Sequence, residues 1–163
     1  MFDLSNVVLI PATDDDFAFL LGEQRSSNRL SLPPGGIDSP RILRILRRML
    51  AQLREAGCEA SWLILDGDEV VGLCGYKHPP GDTRTVEIGY GIAPERRKRG
   101  YATKAVNLML AQARADRAID TIVAETAVDN PASKTVLERN GFTHIGARDD
   151  TEDGPLDLWK FQL

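Results

Sequence analysis

Between residues 87 and 100 the chain sets the carboxylate of Glu87, three glycines and four consecutive basic residues within fourteen positions. Glu87 stands beside Gly89 and Gly91, which have no side chains, so the strand leaves room next to it. Arg96, Arg97, Lys98 and Arg99 then lead into Gly100. Basic side chains around a glycine that opens a helix suit a polyphosphate, because the first helical turn carries N–H groups without internal partners. Gly100 also lets the backbone approach a ligand closely. The same run fits a solvated charged turn, and the residues alone leave both readings open. A Walker loop is excluded, since G-x-x-x-x-G-K-[ST] is absent, and so is the G-x-G-x-x-G dinucleotide spacing.

The elements that must position these residues are legible on either side. Val86, Ile88, Tyr90 and Ile92 alternate with Glu87, Gly89 and Gly91, which predicts a strand that Pro94 stops. Ala102, Ala105, Val106, Met109, Leu110 and Ala113 recur at helical spacing and predict a helix with one buried stripe. Strand, basic turn and helix together span Thr85 to Ala115.

Two segments resemble a known family. Pro94 to Ala105 is similar to the acetyl-CoA signature of the GNAT N-acetyltransferases, Q/R-x-x-G-x-G/A, met by Arg97, Gly100 and Ala102. Asn130-Pro131-Ala132-Ser133 with Val136 to Phe142 resembles the N-x-x-S…(L)E-K-x-G-F block that ends many such chains. Val86 to Tyr90 followed by Arg97 to Ala105 looks most like the branch of ribosomal-protein N-terminal acetyltransferases. The resemblance is strongest over 60–163.

The resemblance implies acetyl-CoA as co-substrate and transfer of its acetyl group to a primary amine by direct attack on the thioester. It assigns the pyrophosphate to the backbone of Arg97, Lys98, Arg99, Gly100, Tyr101 and Ala102, with Thr103 close by. Ile92 would pair with the pantetheine arm and polarise the acetyl carbonyl. Asn130 and Ser133 match positions that touch the cofactor, although helix capping alone also explains them. The chain departs from the pattern at Lys98, where glycine is common, and at Leu137, where many relatives carry an acid tyrosine. Glu87 is the expected base, with Glu125 in reserve; the plainer reading of Glu87 is an ion pair with a strand neighbour. No acid is assigned, and no metal is expected. A non-catalytic acyl-CoA-binding module of the same fold is the alternative.

Further along the chain, Asn6 to Pro11, Ala60 to Leu65, Val70 to Tyr76, Thr121 to Thr126, Phe142 to Ala147 and Leu156 to Phe161 read as strands. Thr13 and Ser39 are candidate caps for helices starting at Asp14 and Pro40. In the second helix Ile42, Ile45, Leu46, Met49, Leu50 and Leu53 are the expected apolar stripe, with a solvated arginine face opposite. Gly22 to Pro40 is long for a bland loop. Gly72 and Gly75 suggest a bulge or close backbone approach.

The order β-α-α-β-β-β-α-β-α-β-β is mixed α/β. With the resemblance it implies a GNAT-like sheet of six to seven strands, flanked by about four helices and splayed between the fourth and fifth strands. Length favours a single domain over 1–163. A net charge of −4 argues against nucleic acid as partner. No apolar run suits a membrane span, no signal peptide is read, and two cysteines fit a cytoplasmic setting. The expected partner is a small-molecule amine or a peptide N-terminus. A homodimer is an expectation by analogy only.

Overall fold

The computed structural model describes residues 1–163. Its elements run β1 (Val7–Pro11), α1 (Asp14–Leu20), α2 (Pro40–Glu55), β2 (Ser61–Asp66), β3 (Glu69–Tyr76), β4 (Thr85–Ile92), a single 3-10 turn (Pro94–Arg96), α3 (Tyr101–Ala115), β5 (Thr121–Ala127), α4 (Pro131–Arg139), β6 (Thr143–Asp150) and β7 (Gly154–Gln162). This is the mixed α/β order read from the sequence. No helix is long and apolar enough to cross a membrane.

All seven strands form one sheet in the order β1-β2-β3-β4-β5-β7-β6. Every neighbouring pair is antiparallel except β4 and β5. That parallel pair is joined through α3, as a same-sheet crossover requires. It is also short. Thr85, Val86 and Glu87 pair with Thr121, Ile122 and Val123, and the ladder then ends. Beyond Glu87 the two strands part, each still held by its outer neighbour: β4 by β3 up to Ile92, and β5 by β7 up to Ala127. The expected splay between the fourth and fifth strands is therefore present.

Two apolar clusters cover the two faces. One joins Val86 and Ile88 of β4 to Ala105, Val106 and Met109 of α3 and to Leu137 of α4. The other joins Leu63, Leu65, Val70 and Leu73 to Phe17 of α1 and to Leu43 and Leu50 of α2. Helix starts follow the expected caps. Thr13 and Asp16 form a reciprocal capping box, the Thr13 hydroxyl accepting from the Asp16 N–H and the Asp16 carboxylate accepting from the Thr13 N–H at 2.8 Å. Ser39 caps α2 with Pro40 in its first turn.

Three features differ from the sequence reading or sharpen it. The buried line of α2 is Leu43, Leu50 and Leu53, whereas Ile42 is 37% exposed. The apolar surface of α2 is thus wider than the sheet needs, and part of it faces a cavity. Two arginines of the expected solvated face are engaged: Arg47 bridges Asp14 and Glu23, and Arg54 donates to the Ala12 carbonyl. The connection from Gly22 to Pro40 is anchored rather than loose, since Ser31 exchanges backbone hydrogen bonds with Asp68 and Val70 and Ile37 is buried.

The glycines of β3 do what their positions suggested. A Cβ on Gly72 would lie 2.3 Å from the Gly91 carbonyl oxygen. The register slips beside it, between Ile64 and Leu65. Gly72 therefore lets β3 sit tightly against the part of β4 that borders the gap.

Candidate functional site

The strand-turn-helix segment converges on one cleft. After β4, Pro94 starts the 3-10 turn, and the chain enters α3 through two left-handed residues, Lys98 (φ 62°) and Gly100 (φ 90°). The N–H groups of Lys98, Arg99, Gly100, Tyr101, Ala102 and Thr103 have no acceptor within the protein. Intrachain bonding resumes at Lys104, which donates to the Gly100 carbonyl at 3.0 Å. Six consecutive free amides at a helix start form a concave donor surface for an anion. The left-handed turn at Lys98 explains why glycine suits that position, and the lysine carries a backbone cost there.

A cleft of about 620 Å³ opens on these amides. Arg96, Arg97, Lys98 and Arg139 line it, and no carboxylate does. A chain that is acidic overall thus presents a cationic cleft here. Ile92, Gly100, Tyr101, Ala102, Thr103, Asn130 and Ser133 also line it, as the sequence grouped them. Arg99 differs: it does not line the cleft, and its guanidinium lies over the Phe2 ring, 5.1 Å from the centroid. The Arg97 side chain bends back to the Ile92 carbonyl at 3.2 Å. Arg96 is held bidentately by Glu69. Tyr101 is buried, and its hydroxyl donates to Asp66 at 2.5 Å, pinning the start of α3 to the end of β2. Asn130 and Ser133 face the cleft while forming the expected cap, with the Ser133 N–H donating to Asn130 Oδ1 at 3.1 Å.

The cleft continues along a bare strand edge. In a strand the N–H and C=O of one residue share a side, and the side alternates. The Glu87 carbonyl accepts from Lys77, and the Ala93 N–H donates to Val71, so odd-numbered residues of β4 face β3. Ile88, Tyr90 and Ile92 therefore turn their backbone groups toward β5, and at Tyr90 and Ile92 the pairing has ceased. The Ile92 N–H is free at the wide end of the gap.

Glu87 sits at the apex, opposite Val123, at the last paired position. Its side chain is 20% exposed and forms an ion pair with Lys77. The plainer reading of this residue is thus realised in the structure, and any proton-accepting role must operate beside that ammonium. Glu125 is fully engaged elsewhere, held by both arms of Arg148 at 2.7 and 3.0 Å. His144 is bonded to Asp157 on the α4 side of the sheet, away from the cleft.

Tyr90 is the group the sequence left without a role. Its hydroxyl donates to the Ser133 carbonyl at 3.3 Å, bridging β4 to α4. Burial pushes its phenol up to about 12, so it stays protonated at neutral pH. Tyr90 and Gly91 line both this cleft and a second cavity of about 250 Å³ beneath α2. The only sequence signal for this was the alternation that put Tyr90 on the apolar face of β4.

Residues 6–143 match the model of the acetyltransferase (GNAT) domain. The chain belongs to the GNAT acetyltransferase family. This GNAT chain is 31% identical over 84 residues to the uncharacterized N-acetyltransferase YjdG of Bacillus subtilis, covering 50% of each protein. It is 26% identical over 100 residues to the ribosomal-protein-serine acetyltransferase of Escherichia coli, covering 61% of this chain and 56% of that one. The matched segments span about half the length of these curated relatives. In fold, the GNAT chain resembles a solved ribosomal L7/L12 alpha-N-protein acetyltransferase in complex with coenzyme A, with a TM-score of 0.75 at 19% identity over 98% of this chain and 95% of that one.

Proposed function

We propose that residues 1–163 act as one acetyltransferase domain that moves an acetyl group from acetyl-CoA to a primary amine by direct attack on the thioester. One observation carries this reading: six successive unpartnered amides at Lys98–Thr103, in a cationic cleft that runs on into the bare edge of β4. Diphosphate chemistry fits that donor set, and an extended amide-bearing arm fits a strand edge with free backbone groups.

Bound there, acetyl-CoA supplies an acyl thioester that a neutral amine attacks without prior activation. The chain's residues meet the remaining demands. The amides of Lys98 to Thr103, with the Lys98 and Arg97 side chains, hold the diphosphate. Ile92 offers its N–H to the acyl oxygen, a preorganised donor where negative charge develops. Glu87 accepts the amine's proton, directly or through water, once Lys77 shifts from its carboxylate. Tyr90, protonated and bordering both cavities, is placed to return a proton to the departing sulfur.

A second reading, a non-catalytic acyl-CoA-binding module, is favoured by the Lys77–Glu87 ion pair and by Leu137 in place of the acid tyrosine. Thermal shift with acetyl-CoA followed by thiol release across a panel of amines separates the two. The transferase reading expects stabilisation and release. Stabilisation with no release on any amine supports the binding module.

A further inference from the structure

The second cavity has walls of a distinct chemistry. Ile42, Leu46 and Met49 of α2 face it from above, with Phe17, Ile37 and Leu73 around them. These α2 residues are the part of its apolar surface that the sheet does not cover. Only two charged residues line the space: Asp38, which is exposed, and Lys77, which is already paired with Glu87. The floor is β4 itself, at Gly89 and Gly91. A Cβ on Gly91 would meet nothing within 4 Å, and one on Gly89 only Lys77 Cε at 3.6 Å, so both glycines leave usable room. The cavity meets the cationic cleft at Tyr90 and Gly91, where an acceptor amine must arrive.

Resting on the transferase reading, we infer that the acceptor is a small primary monoamine with an apolar body, of arylalkyl or branched-alkyl type, seated between α2 and β4 with its nitrogen at the junction by Tyr90 and Gly91, near the Lys77–Glu87 pair. A polyamine or polyhydroxylated amine would need several carboxylates and hydrogen-bonding walls to replace its hydration. The space offers aliphatic side chains instead. Its size suits a body of about ten heavy atoms rather than a folded peptide segment. The one carboxylate in the lining, Asp38, is exposed to water, so a second ammonium on the acceptor would gain little from it.

The test compares kcat/KM for ethylamine, butylamine, hexylamine, phenethylamine, spermidine and a tripeptide beginning with serine. Calorimetry with N-acetylphenethylamine on the protein without acetyl-CoA gives a readout independent of turnover. The inference expects a rise of about fourfold per added methylene along the alkyl series, phenethylamine at least tenfold above spermidine and the tripeptide, and measurable binding of the acetylated product. Gly89→Val places a β-branched residue on extended backbone with room for it. It should cut phenethylamine turnover at least tenfold and ethylamine turnover far less, with acetyl-CoA affinity unchanged. Ile42→Glu, at a position 37% exposed, checks the opposite wall with the same expected pattern. A flat alkyl series, or a preference for spermidine or the tripeptide, would overturn the inference while leaving acetyl transfer intact. Acetyl-CoA binding without turnover of any amine would overturn both.

Discussion

Gly100→Ala probes the donor surface through its backbone. Gly100 lies at φ 90°, and a Cβ there would stand 3.0 Å from Leu4 Cδ1. The left-handed region costs a non-glycine residue about 1–2 kcal/mol, and alanine recovers about 0.4–1 kcal/mol by restricting the unfolded chain. Leu4 presents the far end of a flexible side chain, so its movement adds little. The net loss is about 1 kcal/mol, or about 2–4 °C in melting temperature for a chain of this size. Relief of that strain rotates the peptides on both sides of residue 100, which carry two of the six free amides. Acetyl-CoA affinity should then fall at least tenfold. Differential scanning fluorimetry reads both effects. At a ligand concentration about a hundred times the parent Kd, the parent gains about 2.7 kcal/mol, and a tenfold weaker variant about 1.4 kcal/mol. The ligand-induced shift should therefore roughly halve. Leu4→Ala in the same background separates steric relief from backbone strain, and it should restore none of the lost shift. A variant that melts earlier by the expected margin, yet gains the full parental shift, would refute the placement of the diphosphate at these amides.

Lys98→Gly should raise the melting temperature by up to about 3 °C, since φ 62° suits glycine, while acetyl-CoA binding weakens and becomes less salt-dependent as a cation is lost; unchanged salt dependence by calorimetry would remove the lysine from the phosphate site. Glu87→Gln should lower kcat about a hundredfold or more at pH 7 and progressively less at high pH, where the amine is already neutral; a constant ratio across the pH profile would remove Glu87 as base. Burial holds Tyr76 and Tyr90 at about 12 against an ordinary 10.0. Phenols raised in this way contribute stability that is complete below pH 10 and lost as pH climbs toward 12. Chemical denaturation at pH 8, 10 and 11.5 should show that decline, and Tyr90→Phe should flatten part of it while slowing thiol release.

The element order was legible because each element carries its own period and punctuation. Thr13, Ser39 and Asn130 announced three helix starts, and Pro94 and Gly100 bracketed the turn. The glycines of β3 were informative because close backbone approach leaves few other residues possible. The α2 stripe was read less well. Helical spacing accommodates Ile42 and Leu43 on adjacent lines, and only the sheet's position decides which is buried. An ion pair at Glu87 was foreseen but its partner was not, since Lys77 lies ten residues away and reaches it through strand pairing. Tyr90 shows the same limit. Its position on the strand was clear, but its contact with Ser133 depends on where α4 packs.

A crystal structure of the protein with coenzyme A tests the central claim most directly. The account predicts diphosphate oxygens within hydrogen-bonding distance of the amides between Lys98 and Thr103, and the pantetheine arm along Tyr90 to Ile92. Coenzyme density at any other surface, with those amides turned to water or to protein acceptors, would contradict it.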